Sequence, residues 1–108
     1  MARYLFQFAY TSESWATQLQ NPQNRVAQVT PFVEKLGGRF EWVYYAFGEY
    51  DIVGVVELPD NVSAAAFSMA IAAGGAAKAF KTTPLMTVEE GIQAMGKGAE
   101  AGYRPPAR

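Results

Sequence analysis

Residues 40–58 read FEWVYYAFGEYDIVGVVEL, and this stretch decides the fold. It consists of two apolar runs rich in β-branched and aromatic residues, joined at Gly48-Glu49-Tyr50-Asp51. Strands favour such residues in their interiors, whereas glycine and acidic residues are typical of the turn between strands. The pattern predicts a central β-hairpin with strand two at 39–47 and strand three at 51–58.

The segments on either side of the hairpin alternate between strand and helix patterns. Residues 3–10 alternate strictly and predict strand one. Two helical segments, separated by Asn21-Pro22, lead to Gly37-Gly38, a pair suited to a left-handed helix cap. An alanine-rich helix follows strand three, and residues 76–87 predict strand four. A capping box at Thr87 starts a last short helix. The predicted order is therefore βαββαβ with an additional C-terminal helix.

This order predicts an α+β, ferredoxin-like fold with an antiparallel four-stranded sheet and helices on one face. The other face would be bare, yet neither hairpin strand has a polar face. We place Phe40, Trp42 and Tyr44 on one face of strand two, with Val43 on the other. Only 18% of the residues are charged, against about 25% in typical domains. Stacking of two sheets would cover the bare face, so we expect a homodimer or a higher even-numbered homo-oligomer.

The length of 108 residues is suited to one domain. We assign residues 1–95 to this domain. Residues 96–108, GKGAEAGYRPPAR, are rich in glycine and proline and poor in apolar side chains. We expect them to form a flexible C-terminal tail.

The composition excludes several classes of function. A net charge of -1 gives no electrostatic reason to bind nucleic acid or an anionic membrane. The chain has no cysteine and no histidine, which removes thiolate nucleophiles, imidazole bases and the common zinc, iron–sulfur and His-ligated haem sites. We therefore expect no cofactor and no metal. Without a signal peptide or a run of about 20 apolar residues, we expect a cytoplasmic protein.

The joint Gly48-x-Tyr50-Asp51, the preceding Gly37-Gly38 and the order of elements together resemble the GYD domain family of small bacterial proteins. The resemblance covers residues 3–95. It implies membership of the dimeric α+β barrel superfamily, in which two ferredoxin-like sheets face each other. That superfamily includes cofactor-free monooxygenases, isomerases, haem enzymes and ligand-sensing domains, which share no catalytic set. No catalytic residue is therefore transferred to this chain.

Candidate ligand-binding residues come from the hairpin and from the aromatic strands. Asp51 either bonds backbone amides of a turn in which Gly48 has positive φ, or takes part in a ligand site. Glu57 lies in an otherwise apolar strand, and if its face is the interior one it needs a cation such as Lys78 or Arg39. A position at the strand end, on the rim, explains this residue equally well. One of the cations Arg25, Arg39, Lys78 and Lys81 could hold a substrate carboxylate or phenolate, whereas most of them are expected to be solvated. The candidates are Tyr4, Phe6, Trp42, Tyr44, Glu49, Tyr50, Asp51, Glu57 and Lys78.

Three hypotheses of function remain open. In the first, the chain binds a small organic ligand, with aromatic compounds among the candidates, in a barrel cavity as a homodimer. Alternatively, it is a cofactor-free enzyme, similar to a monooxygenase or isomerase, or it is a purely structural protein. An enzyme should place a carboxylate or phenol of strongly shifted pKa in a cavity. A binding protein should show a cavity with unshifted groups, and a structural protein no cavity.

Overall fold

The computed structural model of the chain describes residues 1–106. The four strands form one antiparallel sheet in the order β2-β3-β1-β4. This is the predicted ferredoxin-like α+β arrangement, with the predicted helix added at the C-terminal end. The elements are β1 (Ala2–Tyr10), α1 (Ser12–Gln20), α2 (Arg25–Lys35), β2 (Arg39–Tyr45), β3 (Ile52–Leu58), α3 (Asn61–Ala73), β4 (Ala77–Pro84) and α4 (Val88–Glu100).

The main core lies between the sheet and the helices α2 and α3. Phe6 of β1 meets the Phe67 ring of α3 edge-on, with 6.2 Å between ring centroids. Each apolar side chain that is fully buried here stabilises the fold by about 2 kcal/mol. Most of the buried side chains come from the helix-facing side of β1 and β3, where every second residue points toward the helices. Its buried residues are Tyr4, Phe6, Tyr10, Val33, Ile52, Val56, Leu58, Ala64 and Phe67.

The connection between β2 and β3 is longer than a two-residue turn. Asp51 donates its backbone N–H to the Phe8 carbonyl oxygen at 2.7 Å, and the Ala46 N–H donates to the Asp51 carbonyl at 2.8 Å. Gly48 does not have positive φ, so the predicted reason for a glycine there is wrong. The loop is long enough to reverse the chain without the mirror-image turn that would require positive φ.

A β-bulge at Glu41 inverts the alternation of β2. Phe40 pairs with Val56, but Trp42 already pairs with Val55, so Glu41 is the extra residue. Phe40 therefore faces the helices, whereas Trp42 faces the opposite side of the sheet. The prediction that Phe40 and Trp42 share a face is wrong because strict alternation allows for no bulge.

The N-terminus of each helix is capped by a side chain. Thr11 accepts a hydrogen bond from the Ser14 N–H at 3.1 Å, and Thr87 forms the predicted capping box with Glu90. α1 buries little, because Trp15 is only half-buried and Leu19 is 76% exposed. The four-residue spacing of Trp15 and Leu19 predicts that both pack inward, and for Leu19 this prediction is wrong.

α4 is longer than the sequence analysis predicted. It ends at Glu100, so the predicted boundary between domain and tail at residue 96 falls inside a helix. The capping box and the first-turn carboxylates favour this helix despite its glycines. All its residues except Gly91 are exposed, including the apolar side chains of Val88, Ile92 and Met95. Residues 107–108 of the predicted tail lie outside the described residues.

Candidate ligand-binding cleft

A cleft of about 330 Å³ lies between α2, α3 and the sheet. This volume is at the lower end of the range for small-molecule sites, roughly 300–1,000 Å³. Its walls are almost entirely apolar, and aromatic rings form much of the floor. The lining residues are Phe6, Phe8, Tyr10, Arg25, Val26, Val29, Phe32, Leu36, Phe40, Val43, Ile52, Phe67, Ala70, Ile71, Gly74, Ala76 and Phe80.

The sequence creates this space by combining large side chains on the sheet with small ones on α3. Phe8 and Phe80 pair across β1 and β4, and their rings meet edge-on with 5.7 Å between centroids. Opposite them, Ala70, Gly74 and Ala76 line the cleft without filling it. Small residues therefore form this part of the wall, at the end of α3 and just after it.

Two polar side chains line the cleft. Tyr10 is 4% exposed, and burial raises the pKa of its phenol, with the nearby Tyr45 and Asp51 adding to the rise. The nearby positive charge of Arg25 opposes this rise in the pKa of Tyr10. The phenol is therefore neutral at neutral pH and can donate a hydrogen bond. No carboxylate lines the described part of this cleft.

Asp51 fixes the end of β1, where Tyr10 lies. Its Oδ2 atom accepts a hydrogen bond from the Tyr10 backbone N–H at 2.8 Å and one from the Trp15 indole N–H at 3.2 Å. The Trp15 ring in turn meets the Tyr10 ring edge-on, with 5.2 Å between centroids. Asp51 thus joins the hairpin, β1 and α1, and it supports one wall of the cleft without lining it.

A family model of the GYD domain matches residues 4–95. The chain belongs to the GYD domain family. The match confirms the family proposed from the sequence. No curated protein and no solved structure matched the chain. In this GYD domain, the Asp51 of the family motif makes backbone and indole contacts that position Tyr10.

The structure does not bring the nine sequence-predicted candidates of this GYD domain together at the cleft. Phe6 is the one among them that lines it. Tyr4 lies in the core, where its hydroxyl donates to Asn61 Oδ1 at 2.6 Å. Tyr50 is half-buried with Lys81 Nζ 5.7 Å from its ring centroid, and Glu49 is exposed. Lys78, on β4, is exposed.

Trp42, Tyr44 and Glu57 lie on the opposite side of the sheet, which we call the outer face and define by Leu5, Trp42, Tyr44, Val53 and Val55. On this face the rings of Trp42 and Tyr44 lie 5.7 Å apart between centroids. Because the sheet separates the outer face from the cleft, these aromatic side chains cannot contact a ligand there.

Glu57 lies at one edge of the outer face and is 8% exposed. Its carboxylate accepts hydrogen bonds from Arg39 Nε at 2.6 Å and from Arg3 Nε at 3.3 Å. Arg3 Nε also lies 3.0 Å from a carboxylate oxygen of Glu41. The expectation that Glu57 needs a cationic partner such as Arg39 is confirmed, and Lys78 takes no part in this network.

These ion pairs predict a loss of stability in acid. The hydrogen bond from Arg39, helped by its charge and by Arg3, lowers the pKa of Glu57 below its ordinary value of 4.5. A lowered folded-state pKa contributes stability above the unfolded-state pKa, and this contribution is lost as the pH falls through the folded-state value. Urea midpoints of the wild type and Glu57→Gln should therefore differ at neutral pH and converge below pH 4.5. A constant difference down to the acid limit would contradict this prediction.

Two further observations concern metal ions and membranes. Within residues 1–106, no group of three or more Asp and Glu side chains is placed to hold a metal ion. None of the helices in that same range has the length and apolar character needed to cross a membrane.

Proposed function

We propose that this GYD domain binds a small, planar, largely apolar organic molecule in the cleft between α2, α3 and the sheet. The observation that carries the proposal is the aromatic lining of a space of about 330 Å³ with only one phenol and one guanidinium. Phe67 and Phe80 meet edge-on, with 5.8 Å between ring centroids. Such ring edges favour contact with the face of another π-system.

The proposal includes a homodimer in which two outer faces stack. Leu5, Val53 and Val55 are apolar residues on the side of the sheet away from α2 and α3, and Trp42 on the same side is 40% exposed. Stacked sheets cover such faces with interdigitating side chains. The sequence predicts a ligand in the barrel cavity between two such sheets. The cleft supports a different location, because a single chain forms it.

A cofactor-free enzyme is the second candidate. The observation in its favour is Tyr10, a buried phenol of raised pKa that lines a cavity. Such a group suits a general acid. Proton abstraction would also need a base, and no carboxylate or lysine lines the described walls of the cleft. Binding without chemistry is therefore the better supported function, and the presence of a cleft argues against a purely structural role.

Native mass spectrometry of the gently purified protein tests both parts of the proposal. We expect an even multiple of the 11.8 kDa subunit, with a retained small molecule or with added mass after naphthalene-2-carboxylate is supplied. Ala70→Phe should reduce binding roughly 10-fold or more, because the new ring occupies the cleft. Isothermal titration calorimetry measures this loss of affinity.

Ala72→Phe is the matched control for this variant. Ala72 is an exposed residue of the same helix and does not line the cleft. The Ala72→Phe variant should bind naphthalene-2-carboxylate with the affinity of the wild type. Equal binding by the two variants would show that the probe binds elsewhere, and a monomeric protein would overturn the dimer. If the wild type neither retains a small molecule on purification nor binds added naphthalene-2-carboxylate, the proposed ligand site is overturned.

A further inference from the structure

Arg25 lies at the boundary between two clefts of different polarity. It lines the apolar cleft and also a second cleft of about 310 Å³, and the two share Gly74 and Ala76 as well. The second cleft is lined by hydroxyl, amide and carboxylate side chains of α1 and its cap. These are Thr11, Glu13, Ser14, Thr17 and Gln18. A molecule held at Arg25 would therefore have an apolar environment on one side and a polar one on the other.

The positive charge of Arg25 is not neutralised by an ion pair. Within the described chain the salt bridges all involve Arg3 and Arg39, and Glu13 lies beyond ion-pair distance of Arg25. Arg25 is also the first residue of α2, whose first turn carries no acidic side chain. The partial positive charge of a helix N-terminus adds to that of the guanidinium. This end of the apolar cleft therefore favours an anion.

Tyr10 provides a second hydrogen-bond donor in the wall of the apolar cleft. Its side chain is 4% exposed and lines the apolar cleft. Arg25 lines the same cleft. One guanidinium N–H of Arg25 is taken by Gln28 Oε1 at 2.7 Å. The remaining N–H groups of the guanidinium and the phenol O–H are then donors available to one ligand group.

From this arrangement, and resting on the function proposed above, we infer that the ligand is an organic acid. Its apolar body lies in the cleft of about 330 Å³, and its carboxylate binds to Arg25 and Tyr10 at the polar boundary. A planar guanidinium matches the two oxygens of a carboxylate, and charge-assisted hydrogen bonds are stronger than neutral ones. Arg25 thus selects for charge, while the phenylalanine walls select for shape.

The test compares two probes of nearly equal shape by isothermal titration calorimetry. Naphthalene-2-carboxylate is charged at neutral pH, and naphthalene-2-carboxamide is not. We expect the wild type to bind the carboxylate roughly 10- to 100-fold more tightly than the amide. Arg25→Gln should abolish this preference and leave affinity for the amide unchanged. Tyr10→Phe should weaken carboxylate binding roughly 3- to 10-fold.

Lys78→Gln is the matched control, because it removes the same charge from an exposed residue that does not line the cleft. It should preserve the preference for the carboxylate. Equal binding of both probes to the wild type would overturn the inference and leave the proposed function standing. If Lys78→Gln reduces the preference for the carboxylate as much as Arg25→Gln does, the inference is likewise overturned and the proposed function still stands. If neither probe binds the wild type, the proposed function fails, and the inference fails with it.

Discussion

Asp51→Ala is expected to lower the free energy of unfolding by about 3 kcal/mol. The substitution removes the acceptor of the Tyr10 backbone N–H and of the Trp15 indole N–H. Tyr10 is buried and Trp15 is half-buried, so neither donor regains full hydration in the variant. Urea denaturation measures the loss. Because Asp51 does not line the cleft, ligand affinity extrapolated to the folded protein should fall far less than stability.

Two further variants make the prediction about Asp51 specific. Glu49→Ala removes a carboxylate from an exposed residue of the same loop and should change stability little. Asp51→Asn should retain most of the stability, because both donors bond to the same oxygen, Oδ2, which the amide oxygen can replace. An Asp51→Ala protein with the wild-type melting temperature would contradict the structural role of this residue.

Gly54→Ala is expected to destabilise the protein by about 3 kcal/mol. A Cβ atom at this position would lie 2.5 Å from the Trp42 carbonyl oxygen and 2.6 Å from Cζ of Phe6. The backbone of β2 and the core-packed Phe6 ring would both have to move. Thermal or urea denaturation followed by circular dichroism measures the effect.

Gly48→Ala is the matched control for the glycine substitution. A Cβ atom at Gly48 would meet no other atom within 4 Å, and this glycine does not have positive φ. Its replacement should leave stability unchanged or raise it slightly, since alanine restricts the unfolded chain. If both glycine variants were equally stable, close packing at Gly54 would not be the reason for glycine there.

The sequence was sufficient to predict the strands, the hairpin and the order of elements. Alternation in β1 and the two apolar runs around Asp51 are local signals, and the capping box at Thr87 is another. The bulge at Glu41 could not be predicted in this way. One extra residue in a strand that is apolar on both faces leaves no change in composition, so the faces of Trp42 and Phe40 were assigned incorrectly.

The candidate site was harder to predict than the fold. The hydrogen-bonding role of Asp51 follows from its position in a loop, and the sequence analysis named it as one of two alternatives. Tyr10 of β1 and Arg25 at the start of α2 come to the same cleft only through the tertiary fold. Arg25 was named among the cations that could hold an anion. Alternation along strand one predicts that Tyr10 shares a face with Tyr4, Phe6 and Phe8, and this aromatic face is the sequence signal that points to Tyr10.

The glycines of α4 raise the question of what stabilises this helix over Val88–Glu100. Gly91, Gly96 and Gly98 each weaken the helix by about 1 kcal/mol relative to alanine, and isolated helices of this length are marginal in water. Intrinsic preference therefore does not account for this helix, and burial of Val88, Ile92 and Met95 would have to supply the difference. These three side chains are 76%, 61% and 74% exposed, so the single chain does not supply that burial.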